Sequence, residues 1–198
     1  MGYNLDPISD NCYPGTSILI NKFNIRDENK LNEAETAITS ARNTEWLSQS
    51  RMDTFNFCHY KTIHFYLFSD LYNWAGQIRT VNISKKGTRF CPAQKIEEHA
   101  ALIFKRLKEQ KFFHDLQHDE FVDEITDFYN NTNFLHPFRE GNGRTQRTFL
   151  TQLIRYVGYN IDWSAMDTDL LMIATIQAAN GVTDLLRRVL SEGITKNK

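Results

Sequence analysis

Apolar residues recur at helical spacing through most of the chain. After Asp27, the residues Leu31, Ala34, Ile38 and Ala41 share one face. Ile63, Tyr66, Leu67 and Leu71 form a second stripe that Gly76 is expected to stop. A third helix is predicted from near Pro92, carrying Ile96, Ala100, Ile103, Phe104 and Leu107, because proline costs least in a first turn. Phe121, Ile125, Phe128 and Tyr129 mark a helix capped by Asp119, and Phe149, Leu150, Leu153, Ile154 and Val157 mark the next. Two more follow, one with Leu170, Leu171 and Ala174, the other with Leu185, Leu186, Val189 and Leu190 before Gly193.

The pattern changes in two places. Tyr13-Pro14-Gly15-Thr16 reads as a turn into the apolar Ile18-Leu19-Ile20. Thr80-Val81-Asn82-Ile83 and Thr88-Arg89-Phe90-Cys91 flank Ser84-Lys85-Lys86-Gly87, with β-branched and aromatic residues on both sides of a glycine-containing turn. This is a β-hairpin. A lone hairpin is marginal in water, so it must lean on helices or gain a third strand. It is either a plain connector or an edge that accepts an extended peptide. An all-α fold with one hairpin follows.

Composition narrows the function. The 198 residues are 41% hydrophobic and 24% charged, which suits one soluble domain with a substantial core. A net charge of −1 supplies no basic field, so direct nucleic-acid binding is disfavoured. Cys12, Cys58 and Cys91 are odd in number and widely spaced, which fits reduced thiols in a cytoplasm better than a disulfide framework. Met1 to Asp10 lacks a signal-peptide pattern, and no apolar run reaches the length of a membrane span.

Between the fourth and fifth helical stripes runs His136-Pro137-Phe138-Arg139-Glu140-Gly141-Asn142-Gly143-Arg144-Thr145-Gln146-Arg147. Pro137 disfavours helix at His136, so one helix should end there and another begin after Gly141-Asn142-Gly143. Glycines around Asn142 let successive N–H groups point the same way, and the next helix adds its unpaired N–H groups and positive dipole end. Such a turn suits phosphate oxygens. Arg144 and Arg147, three apart, can grip them with guanidinium forks. Glu140 offers the carboxylate oxygen that Mg²⁺ prefers, with phosphates completing the coordination. His136 can take a proton from an alcohol at neutral pH. Singly, each residue has an ordinary reading as a loop, turn or solvated charge; jointly they are the parts of a phosphoryl-transfer site.

This run resembles, without departure, the Fic family signature His-Pro-Phe-x-Asp/Glu-Gly-Asn-Gly-Arg-x-x-Arg. Tyr13-Pro14-Gly15-Thr16, Trp74-Ala75-Gly76-Gln77-Ile78-Arg79 and Thr88-Arg89-Phe90 are also similar to segments of bacterial Fic proteins. The resemblance implies a single Fic domain over 1–198, with an N-terminal segment of about 1–27, a helical core of about 28–190 and a short tail. It implies an all-α bundle with the hairpin as a flap over the active site. The implied activity is transfer of AMP from ATP to a Ser, Thr or Tyr hydroxyl of a protein. In this reading His136 is the base, Glu140 holds Mg²⁺, and Gly141, Asn142, Gly143, Arg144 and Arg147 bind phosphates. Phe138 anchors the loop in the core. Lys86, Gly87, Thr88, Arg89 and Phe90 form the target-binding flap, and Gln177 and Asn180 are expected at the adenine.

Many Fic proteins are inhibited by a helix bearing Ser/Thr-x-x-x-Glu-Gly/Asn. Glu192-Gly193 lacks the Ser/Thr, because Arg188 stands four residues earlier, and Glu28-Asn29 fails likewise at Asn24. The resemblance therefore implies a separate small antitoxin whose Glu engages Arg147, and DNA gyrase or topoisomerase IV among the conceivable targets. Three other readings compete with this one. A kinase of this fold has Lys in place of Gly143; a metal site could use His114 and His118 with Asp115 and Glu120; and a non-catalytic module would use the hairpin alone.

Overall fold

The computed structural model describes residues 4–5, 11–49, 54–85 and 87–196. Lys86 and most of Met1 to Asp10 lie outside them, and with them the flap role given to Lys86 and the reading of the first ten residues. The helices are α1 (Glu28–Ser48), α2 (Phe57–Phe68), α3 (Ile96–Glu109), α4 (His118–Leu135), α5 (Asn142–Tyr156), α6 (Thr168–Ala179) and α7 (Asp184–Gly193). The short strands are β1 (Asn4–Leu5), β2 (Ile83–Lys85), β3 (Thr88–Arg89), β4 (Tyr159–Ile161) and β5 (Ile194–Lys196). A helical bundle carrying a small hairpin is the fold expected from the sequence.

Local chemistry sets the boundaries. Asp27 caps α1 by accepting from Lys30 N at 3.0 Å, and Asn56 caps α2 by accepting from His59 N at 2.8 Å. The second stripe does not run to Gly76 as one helix. α2 stops at Phe68, and Leu71 and Tyr72 donate back to the Phe68 carbonyl in a tight turn, which still buries both side chains. The cap of α4 lies two residues ahead of the one expected at Asp119: Gln117 is the cap, paired with Glu120 in a capping box, and Asp119 sits in the first turn, where its charge favours the helix dipole.

β2 and β3 pair antiparallel with Ser84 opposite Arg89 and Lys85 opposite Thr88, a shorter ladder than the alternation predicted. Its third strand comes from the N-terminal segment, where Asn4 lies opposite Ser84 and Leu5 opposite Ile83. The outer edge of β2 is thereby covered. A second ladder, β4 with β5, was not anticipated; it turns what reads as a tail into a strand, with Ile161 opposite Ile194.

The core centres on Phe149 of α5, fully buried against Phe128 of α4, Phe104 of α3 and Tyr60 of α2. Aromatic rings meeting edge-on and offset fill this space and fix how the four helices cross. Among the described residues no helix is long and apolar enough to cross a membrane.

Phe138 is the loop's anchor, as expected. It is fully buried, stacked on His64 at 3.8 Å between ring centroids and on Tyr60 at 5.9 Å. Truncating such a ring removes its burial and leaves a cavity. Phe138→Ala is expected to cost about 3–5 kcal/mol in chemical unfolding; a loss below about 1 kcal/mol would show that the loop is held elsewhere.

Candidate active site

The run between α4 and α5 passes through two left-handed residues. His136 caps α4 at φ 40, ψ 59, and Gly141 precedes α5 at φ 79. A non-glycine residue at positive φ is strained and persists only when its surroundings hold it. Gly141 is required twice over, since an added Cβ would also come 2.2 Å from the Phe68 ring.

Buried polar groups hold the loop between these points. Asn142 accepts from Phe138 N and donates to Phe138 O, both at 2.8 Å, closing the loop on itself. Its side-chain amide makes that clasp, and Asn142 does not line the cavity beside the loop. His64 of α2 accepts from Gly76 N at 2.8 Å through Nδ1 and donates from Nε2 to Glu140 O at 3.0 Å. Burial holds its pKa down at about 3, so the ring stays neutral and keeps that tautomer. Arg79 donates from its main-chain N to Pro137 O at 2.9 Å and from Nε to His136 O at 2.8 Å.

A cavity of about 370 Å³ opens beside the loop, a size that suits a nucleotide. His136 lines it. Its Nδ1 lies 3.0 Å from the carbonyl of Asn133, and since a carbonyl only accepts, Nδ1 carries the hydrogen and Nε2 is the basic nitrogen of the ring. Burial, against the opposing pull of the Asn133 carbonyl and with help from the Arg79 and Lys85 charges, lowers its pKa to about 3. Phe90 stacks on the imidazole, centroids 3.7 Å apart and planes at 13°.

The cavity's anion-facing side is built from α5. Gly141 and Gly143 line it, and the N-terminus of this 15-residue helix presents unpaired N–H groups there. The two arginines differ. Arg144 is ion-paired with Glu35 of α1, whose other oxygen accepts from the Tyr72 hydroxyl; it also donates to Thr39 Oγ1 at 3.2 Å and lies over the Phe68 ring. Arg147 has no hydrogen bond or ion pair from its guanidinium among the described residues, and burial together with the Arg144 charge lowers its pKa. Two guanidiniums expected to act alike are thus one tethered and one available. Glu140 accepts from Gly141 N at 2.8 Å, stands 3.6 Å from Arg144, and is among the residues that line the cavity. One carboxylate open to a phosphate-sized space is the donor set that Mg²⁺ uses when substrate phosphates supply other ligands.

The remaining walls come from the flap and α6. Of the residues assigned to the flap, Thr88 and Phe90 line the cavity, joined by Lys85, while Gly87 and Arg89 are exposed and do not. Gln177 and Asn180 are exposed on α6 outside the cavity, and Asn180 Nδ2 donates to Ile176 O. The face turned inward is Thr168, Leu171, Met172, Thr175 and Ile176, of which the sequence pattern singles out only Leu171, as a residue marking the helix. His114 and His118 each pair with the adjacent Asp on the surface, and among the described residues no group of three or more His, Cys, Asp or Glu could hold a metal.

The model of the Fic/DOC family matches residues 54–154. A probable protein adenylyltransferase of Sinorhizobium fredii, y4lH, is 38% identical over 177 residues, covering 89% of this chain and 89% of that protein. The probable protein adenylyltransferase Fic of Escherichia coli is 31% identical, covering 93% and 91%. Protein adenylyltransferase VbhT of Bartonella schoenbuchensis is 35% identical over 96% of this chain, which spans only 39% of VbhT. Among solved structures, BepC of Bartonella tribocorum with bound AMPPNP superposes with a TM-score of 0.90 at 25% identity, covering 95% of this chain and 97% of that one.

The buried imidazole makes a direct prediction. A depressed pKa favours the neutral form, so His136 should remain neutral as pH falls well past the ordinary histidine value. In an NMR titration of the free protein its ring signals should not move between about pH 8 and pH 5. A midpoint at or above ~6.5 would mean that the site does not desolvate the base.

Proposed function

The chain belongs to the Fic/DOC family, and on that footing we propose that it is a protein adenylyltransferase, moving AMP from ATP to a Ser, Thr or Tyr hydroxyl of a target protein with release of pyrophosphate. The observation that carries the reading is a buried, neutral His136 with Nδ1 held by the Asn133 carbonyl, in a cavity also lined by the α5 N-terminus and Arg147. The names of the relatives as protein adenylyltransferases and the AMPPNP bound to BepC support it.

In this proposal the target hydroxyl gives its proton to His136 Nε2 as its oxygen attacks the α-phosphorus of ATP. The new P–O bond forms as the bond to pyrophosphate breaks. The Gly141 and Gly143 main chain and the α5 N-terminus bind phosphate oxygens, and Arg147 grips the far phosphates with the charge that no carboxylate claims. Arg144, turned toward Glu35, spends fewer of its donors on phosphate than its position in the motif suggests. Glu140 would hold Mg²⁺, which when bound offsets charge between the α- and β-phosphates. The adenine lies against Leu171, Met172, Thr175 and Ile176. An extended target segment pairs with the outer edge of β3, because β2 is already paired on both sides, with Thr88 and Phe90 nearest the reacting hydroxyl.

We extend the proposal to control and context. Glu192 is exposed on α7 with its oxygen 4.0 Å from Arg188 and does not line the cavity, so the inhibitory carboxylate that reaches Arg147 belongs to a separate antitoxin. The protein then acts as a cytoplasmic toxin, a single Fic domain, with a type II topoisomerase such as DNA gyrase or topoisomerase IV as target.

Incubation with Mg²⁺, target lysate and ATP labelled at the α- or the γ-phosphate separates the transfers. Label should reach protein from the α-phosphate alone, and γ-label alone would mean a kinase. His136→Ala should lower transfer by about 10²–10⁴-fold, and unchanged labelling would remove His136 as the base. Purified protein should be active alone, with Glu192→Gly making no difference; full inhibition relieved by that change would locate control within the chain.

A further inference from the structure

Arg79 lies in the segment between α2 and β2, 4% exposed, and outside the cavity wall. Its donors run in two directions. The main-chain N and Nε reach Pro137 O and His136 O, on the loop that carries the base. Nη1 donates to Val81 O at 2.7 Å and Nη2 to Cys91 O at 2.5 Å. Val81 precedes β2 and Cys91 follows β3, so these are the two roots of the flap. These four acceptors are main-chain carbonyls, three of them held by the guanidinium, so it grips the backbone of the base loop and of both flap roots.

The flap needs such a tie. β2 and β3 are three and two residues long, and a ladder that short does not set its own position. Yet Phe90, between β3 and Cys91, stacks at 3.7 Å on His136, so a small shift of the roots would slide one ring across the other. Cys91 N donating to Phe134 O at 2.9 Å ties one root to the last turn of α4, but Val81 has no equivalent bond to the base loop except through Arg79 among the contacts described. A planar fork with donors at fixed angles can hold three separated carbonyls at once, which an ammonium on a flexible stem cannot do with the same geometry.

We propose that Arg79 is a positioning residue that couples the flap to the base, fixing the roots of the β2–β3 hairpin against His136 so that a target strand on the flap delivers its hydroxyl in register with Nε2. The proposal rests on the transfer reaction assigned above, but its mechanical part does not. Arg79 touches neither nucleotide nor target.

The test uses Arg79→Lys, which keeps the charge and loses the fork, and Arg79→Gln, which shortens and neutralises it. Three readouts are compared in the full chain: affinity for a fluorescent ATP analogue, amide exchange at Ser84 and Arg89, and AMP transfer to target. Coupling predicts nucleotide affinity within about 2-fold of wild type, flap exchange faster by about 10-fold or more, and target kcat/KM lower by about 10²-fold. Nucleotide affinity falling in parallel with transfer, unchanged flap exchange, or failure of both variants to fold would each overturn it, the last by making Arg79 a general structural residue. If the wild-type protein transfers no AMP, the assigned reaction fails, while exchange and nucleotide affinity still decide whether Arg79 links flap and loop.

Discussion

A loop packed inside a protein must find partners for its main-chain N–H and C=O groups, because water cannot reach them there. The segment from His136 to Gly141 meets that demand with side chains from elsewhere in the fold. Asn142 clasps Phe138 from both sides, His64 takes the Glu140 carbonyl, and Arg79 takes the carbonyls of His136 and Pro137. The bonds to Phe138 and to the His136 carbonyl are buried, so losing either partner would leave the other unpaired at a cost of about 1–3 kcal/mol. The same bonds keep His136 in a left-handed conformation that it would not hold alone. Rigidity at the site is therefore a consequence of burying it.

Charge is distributed to match. The α5 N-terminus, Lys85, Arg144 and Arg147 bring positive potential to one small volume, which alone would be self-repelling. Glu35, reached from α1 and supported by Tyr72, offsets Arg144 before any ligand arrives, while Glu140 faces the cavity. What remains for an incoming polyphosphate is chiefly Arg147 and the helix end. The imidazole is kept neutral among these cations by burial, and the Phe90 ring over it limits solvent on that side. A base that is neutral before the substrate arrives needs no deprotonation step to act.

The twelve residues from His136 to Arg147 were legible because their chemistry is consecutive: proline, glycines, a carboxylate and two arginines announce a polar loop into a helix with no knowledge of the fold. The helical stripes were legible for the same reason, each being a local period. What was not legible depends on contacts across the chain. His64 reads as an ordinary histidine in an apolar helix, and only the folded structure brings it 3.0 Å from Glu140 O. Arg79 reads as one more charged residue before the hairpin, and only the fold brings it to the carbonyls of His136 and Cys91. The covering of β2 by Asn4–Leu5 and the β4–β5 ladder pair residues far apart in sequence, through strands too short for alternation to show. Asn142 was assigned by motif to phosphate, yet its amide closes the loop. On α6, Gln177 and Asn180 were candidates from their place in the penultimate helix, whereas the α6 residues that line the cavity include Leu171, Met172, Thr175 and Ile176.

The central claim is that this rigid loop presents the α-phosphorus, and not the γ-phosphorus, to the base. A crystal structure with Mg²⁺ and a non-hydrolysable ATP analogue tests it most directly. The account predicts the terminal phosphates on Arg147 and the α5 N-terminus, with the α-phosphate nearest His136 and the purine against Met172 and Ile176. A nucleotide bound in the opposite sense, with its γ-phosphate nearest His136, would contradict it.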